Sequence, residues 1–337
     1  MAEYVEIPDA AREPKPLFPE LPDFAVVREV REWVANGNAT YDWRGHTHTA
    51  PANDEPVDFI GFFELPKGAE APCPCCTPNH TKFGKGVVGW FPNTHCIRLM
   101  GEHCFKRLNP SGYQDAKDRL EQRQGRRSTI NYLTANLHKK AEFIDALERV
   151  QPLAEHLDEL QMIMGERLRK LTGVDLWQAV REGGNLKVVV ETERGSFNSN
   201  YATVAGYRLV DPARKPLALA IVRALRFFRA IDLHANIADA TDAERAAAAR
   251  NFGKGIPLAR DLMFDLADLR KFVSIETTAT IRNWSQQPNA AAQIYIRRKD
   301  RIVEVGKRET DAKLIQLRDV IDSSIPILPS IVITADR

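Results

Sequence analysis

Cysteine is absent from all 305 positions outside one stretch of 32 residues, which holds Cys73, Cys75, Cys76, Cys96 and Cys104. No run approaches the ~18 apolar residues that read as a membrane-crossing helix, and no basic segment followed by an apolar stretch stands at the N-terminus as in a secretion signal. The expectation is a cytoplasmic protein with no membrane partner. A dominant charge sign is missing too. Lys+Arg 47 against Asp+Glu 45 leaves +2, which excludes a globally basic nucleic-acid coat and a strongly acidic disordered chain. Catalytic motifs are equally scarce. Gly84-Lys85-Gly86 and Gly253-Lys254-Gly255 fit neither the Walker loop nor the dinucleotide fingerprint and read as turns. There is no Gly-x-Ser-x-Gly elbow, no His-Glu-x2-His and no internal repeat, so a non-enzymatic role is expected.

What is present describes a folded chain. With 44% hydrophobic, 8% aromatic and 27% charged residues it can bury a real core, and its length suits about two domains, with room for a small third.

The clustered cysteines carry the main chemical signal. A disulfide framework suits a short secreted chain, whereas here the count is odd and three thiols occupy four positions. Zinc takes four soft or borderline donors at tetrahedral corners, and a Cys-x2-Cys turn aims two thiolates at one point while backbone amides bond to the sulfurs. Cys73-Pro74-Cys75-Cys76 supplies such a turn. His80 follows Cys76 by four residues, and His95, Cys96, His103 and Cys104 are the distal candidates. The preferred ligands are Cys73, Cys76, His80 and Cys104 around one structural Zn2+. Cys96 can substitute for His80, and Cys75 for Cys73. Glu102 is the nearest carboxylate, and no deaminase order of His-x-Glu with a downstream Pro-Cys-x2-Cys is present.

Between the two ends, Val87–Phe91 reads as a strand, Pro92-Asn93-Thr94 as a turn and His95–Met100 as a returning strand, with Ile97 and Leu99 on one face and Cys96, Arg98 and Met100 on the other. Gly101 breaks that strand, and Cys104 falls in the first turn of a following helix, where the partial positive charge favours a thiolate. This knuckle, hairpin and helix-start ligand resemble a treble-clef zinc finger over about 73–108, roughly a tenth of the chain. The resemblance implies a structural zinc, with the usual pair of ligands on the helix reduced here to Cys104.

The expected fold class is α+β, in four segments. Residues 1–72 hold nine of the twenty prolines and 14 acidic against 6 basic side chains, and read as an acidic, mostly extended arm with a short helix at Val26–Val34 and a strand at Asp58–Phe63. His46-Thr47-His48 on it lacks a third ligand nearby and reads as polar loop. Residues 73–108 form the zinc module. Residues 109–173 are helical, with an apolar stripe from Leu133 to Leu171 and a break expected near 152 at Pro152, giving a helical hairpin or coiled coil. Residues 174–337 read as mixed α+β, with strands at Leu186–Glu191, Tyr201–Val210, Ile275–Ile281, Gln293–Arg297 and Arg301–Val305, and helices at Leu217–Leu233 and Pro257–Val273.

Two binding functions follow. Lys106, Arg107, Arg123, Arg126 and Arg127 adjoin the finger, and phosphate contact through them would make the protein a DNA- or RNA-associated regulator. The alternative is a scaffold that self-associates, or holds a protein partner, through the 133–171 stripe. An enzyme with its site in the C-terminal domain is the third and weakest reading.

Overall fold

Side chains alternate sharply along the middle of the N-terminal part. In a computed structural model that describes residues 3–173, 175–233 and 237–333, the chain divides into two compact units, one up to Ser128 and one from Thr129. Both contain helices and strands.

In the first unit, β1 (Asp58–Glu64) pairs antiparallel with β4 (Lys85–Phe91), which pairs antiparallel with β5 (Cys96–Gly101). The register sets Val88 against Leu99 and Trp90 against Ile97. A period of two sends these four to one face and Val87, Phe91 and Met100 to the other. The first face is covered by α2 (Ala25–Ala35), whose Val27, Val30 and Val34 enter a core with Trp43, Ile60 and Leu99. A Cβ on Gly61 would stand 2.9 Å from the Val27 side chain, so glycine is what lets α2 approach β1 this closely. The opposite face is covered by α3 (Glu102–Leu108), through Phe105, and by the start of α4 (Pro110–Asn136), through Tyr113, Ala116 and Leu120 at helical spacing.

The acidic N-terminal segment is therefore part of the same core as the cysteine-bearing strands rather than a separate arm. It adds a short helix, α1 (Asp9–Arg12), and a strand-like contact from Tyr4 to His80. A second hairpin, β2 (Ala71–Cys73) with β3 (Thr77–Phe83), carries the cysteine turn. Arg98 on β5 is buried within this unit: its guanidinium reaches Glu55 at 3.2 Å and stacks on Phe91 at 4.2 Å, with both ends of the ion pair under 10% exposed.

In the second unit, α5 (Lys140–Thr172) runs unbroken through Pro152. The break expected there occurs instead at residues 137–139, a single tight turn after α4. Pro152 is exposed and so is Glu148, whose carbonyl loses its helical donor to the proline, so water can satisfy it. Asn136 fixes the actual break: its buried amide bonds Tyr132 O at 2.8 Å and both backbone groups of Val332.

The apolar stripe lies within this unit's own core. Leu133, Leu147, Val150, Leu153, Leu157, Leu160, Met164 and Leu168 are all buried among α5, α7 (Leu217–Arg229) and α8 (Asp242–Leu269), so they offer no surface for a coiled coil between chains. Phe143 stacks on Phe228 at 4.8 Å, and Asp158 on α5 accepts the N–H groups of Leu217 and Ala218, capping α7. The helix expected from Pro257 starts earlier, at a capping box formed by Thr241 and Glu244.

The remaining elements are α6 (Leu176–Val180), the hairpin β6 (Asn185–Thr192) with β7 (Gly195–Thr203), α9 (Ile275–Ser285), and an antiparallel sheet of β8 (Tyr295–Lys299), β9 (Ile302–Gly306) and β10 (Lys313–Gln316) in the order β10-β9-β8. Ile275–Ile281 is helical, not a strand. Ser274 caps it by accepting from Thr277 N–H at 3.1 Å, and the Thr278 and Thr280 hydroxyls bond back to carbonyls one turn earlier, which offsets their β-branching.

Candidate metal centre

Three of the five thiols converge. The ligand atoms of Cys73, Cys76 and Cys104 all lie within 4.8 Å of one another. Cys73 ends β2 and is fully buried, while Cys76 closes the turn before β3, its N–H bonding Cys73 O at 3.3 Å. Cys104 comes from the other side of the unit, in the first turn of α3. Its Sγ lies 3.0 Å from that of Cys76, closer than two uncharged sulfurs prefer and far beyond a covalent S–S bond.

A backbone donor meets one of the sulfurs. Gly101 N–H donates to Cys73 Sγ at 3.3 Å. A Cβ at Gly101 would press on Phe83 at 3.0 Å and on Cys104 Sγ at 3.3 Å, so this glycine lets the strand end reach the sulfurs. Such N–H···S bonds orient thiolates and spread their charge around a metal.

The electrostatics suit a bound cation. The Cys73 thiol is pushed up strongly by its bond to the Cys75 side chain and by burial. Burial, then the contact with Cys76, then the charges that Cys73 and Cys76 would carry, push Cys104 up to about 12. Cys73 and Cys104 thus resist ionisation as thiols, whereas a divalent cation among the sulfurs would favour their thiolates. The donor set therefore suits a metal ion, and soft thiolates favour zinc-like ions over hard cations.

The other candidates lie elsewhere. His80 does not join the cluster: β3 is extended, and at ~3.3 Å per residue four positions carry it far past Cys76, to an exposed site edge-on to Tyr4. Cys96 is buried and donates to Thr94 O at 3.1 Å. His103 is exposed on α3, and His95 holds a turn with φ 51°. Cys75 is a free, half-buried thiol outside the group of three. Glu102 accepts a bond from Tyr113 Oη at 2.5 Å, and burial followed by that bond raises the Tyr113 phenol.

The basic residues are divided. Lys106 and Arg107 are exposed on α3, directly after Cys104, with Lys106 over the Tyr113 ring at 5.7 Å. On α4, Arg123 bonds Phe59 O and lies 3.6 Å from Asp58, while Arg127 reaches Asp23 at 3.5 Å and the Phe24 ring at 5.7 Å. Arg126 is exposed on the same helix.

One feature was not legible beforehand. His46 and His48 are buried, 1% exposed or less, and form a chain of bonds: Leu99 N–H to His46 Nδ1 at 3.0 Å, His46 Nε2 to His48 Nδ1 at 3.0 Å, and His48 Nε2 to Pro78 O at 2.9 Å. Because the Leu99 amide can only donate, each ring carries its proton on Nε2 and is neutral. The chain ties β5 to the start of β3, two residues beyond Cys76. Its signal in sequence was the i, i+2 spacing, read as loop because the partners lie 30 and 53 positions away.

No protein-family model, curated protein or solved structure matches the chain.

Proposed function

We propose that the first unit is a zinc-stabilised, non-enzymatic binding module of treble-clef type, associated with DNA or RNA. The observation that carries this reading is the convergence of Cys73, Cys76 and Cys104. One structural Zn2+ would join the β2–β3 turn to the first turn of α3 through Cys73, Cys76 and Cys104, with Cys75 of the same turn as the proposed fourth donor. A closed set of four protein donors leaves no position for an activated water.

The metal's place at the start of α3 links it to binding. Lys106 and Arg107 follow Cys104 on that helix and are exposed, so fixing the helix fixes two cations for phosphate contact. Arg126 is exposed on α4 and adds to the positive field beside them. Arg123 and Arg127, each engaged with a carboxylate of the same unit, contribute through the local positive field and not as free phosphate ligands.

Fluorescence anisotropy of the full chain with labelled duplex DNA tests this. Neutralising two phosphates predicts an affinity that falls about tenfold between 50 and 200 mM salt, and a further weakening in Lys106→Ala/Arg107→Ala. No binding, or binding indifferent to salt, refutes it.

A further inference from the structure

β7 is an edge strand without the usual protection. Its nine residues, Gly195-Ser196-Phe197-Asn198-Ser199-Asn200-Tyr201-Ala202-Thr203, pair with β6 along one side, and among the described residues no strand pairs with the other. Natural edges are blunted by lysine, proline or inward charge, and β7 contains none of these. Nor is it apolar waste: Phe197 is 55% and Tyr201 38% exposed. The hairpin is anchored on the β6 side, through buried Leu186 and the Trp284 Nε1 bond to Lys187 O at 2.8 Å, which leaves the outer edge of β7 open.

The middle five residues of the strand are nearly symmetric about their centre. About Ser199, the neighbours on each side are Asn198 and Asn200, and the next are the aromatics Phe197 and Tyr201. Two copies related by a two-fold axis at Ser199 would therefore run antiparallel with Asn198 opposite Asn200 of the second copy and Phe197 opposite Tyr201 of the second copy. Residues directly opposite share a face, so both amide pairs and both aromatic pairs form at once. An uncharged strand places no like charges across the axis, which a charged strand could not avoid at its centre. A two-fold contact needs this kind of self-complementary patch.

We propose that β7 is a self-association edge: two chains join through it into a continuous four-stranded antiparallel sheet, β6-β7 with β7-β6 of the second copy. The occupant is a second copy of this chain, because the Phe-Asn-Ser-Asn-Tyr segment is complementary to its own reverse. One strand pair is a small interface, so the dimer is weak and reversible. The proposal is independent of the metal centre, which lies in the other unit.

Charge placed at the two asparagines tests the register. Both are exposed, and Asn200 lies opposite Lys187 and Asn198 opposite Val189 on β6, so glutamate at 200 suits the hairpin itself. In Asn198→Glu/Asn200→Glu, like charges meet at both cross-chain pairs; in Asn198→Lys/Asn200→Glu, opposite charges meet at both. Sedimentation of the full chain across a range of concentrations up to about 0.5 mM should find the native protein dimerising. The first variant should weaken the dimer at least tenfold, and the second should restore it or strengthen it. Hydrogen exchange on 185–203 confirms that each variant retains the hairpin. A native chain that stays monomeric throughout, a first variant that dimerises undiminished, or a second that fails alongside the first would overturn the proposal, and so would loss of the hairpin in the second variant alone.

Discussion

Replacing Glu55 with alanine should be among the most damaging single changes in the first unit. Glu55 accepts from Arg98 Nη1 at 3.2 Å, from Thr94 Oγ1 at 3.4 Å and from Ala52 N–H at 3.2 Å, and both charged side chains are under 10% exposed. Arg98 cannot discharge itself by losing a proton. With its partner removed, a buried guanidinium retains only a long 3.4 Å bond to Thr49 and the face of Phe91. An uncompensated buried charge costs about 3–5 kcal/mol. Glu55→Gln keeps an acceptor and the shape, so it should lose only the charge-assisted part, about 1.5–3 kcal/mol. Arg98→Met added to Glu55→Ala should recover most of the loss, because the pair's attraction is largely offset by its own desolvation. The assay is native-state hydrogen exchange of full-length protein, read on peptides covering β4 and β5. A Glu55→Ala loss below about 1 kcal/mol, or a double variant as unstable as the single, would refute the account of a sealed pair.

Other outcomes follow from the same structure. Burial holds His46 and His48 below the ordinary histidine value, helped by His48, Lys15 and Arg98 near the first and by Arg12 near the second, against the bond from His48 to Pro78 O. The unfolded chain therefore binds protons that the fold does not, so this stability is full above pH ~6.5 and declines as pH falls, by up to about 1.4 kcal/mol per pH unit for each ring; a flat urea midpoint for the first unit between pH 5 and 7.5 would contradict it. Leu160→Ala opens a cavity in the second unit's core and should cost about 2–5 kcal/mol in denaturant unfolding, whereas Met162→Ala, at a residue 68% exposed, should cost under about 0.5. Chelation should remove protease resistance from the first unit and leave the second unit resistant, since its core contains no cysteine; equal sensitivity of both units, or no change in either, would count against a structural metal.

Local alternation made part of this fold readable. Along Val87–Phe91 and Cys96–Met100 each face of the sheet meets a different apolar layer, so the pattern of two survives in the sequence, and the hairpin of β8 and β9 was visible for the same reason. The Cys-x2-Cys turn was legible because its geometry is local. Other elements depended on partners far along the chain. β2 and β3 carry Pro72 and Pro78, which read as loop, and β7 is a Ser/Asn run that only its pairing with β6 makes a strand, so the strand expected at Tyr201–Val210 was displaced. Pro152 was taken for a helix break, although an exposed position lets water satisfy the freed carbonyl. His80 looked like a ligand because spacing alone does not tell a turn that curls back from a strand that runs on.

The central claim is the metal. Mass-spectrometric metal content should be measured on protein purified without an affinity metal column, alongside Cys104→Ala, Cys96→Ala and His80→Ala. The account predicts one zinc per chain, lost in Cys104→Ala and kept in the other two. Absence of zinc from the native protein, or zinc retained undiminished in Cys104→Ala, would contradict it.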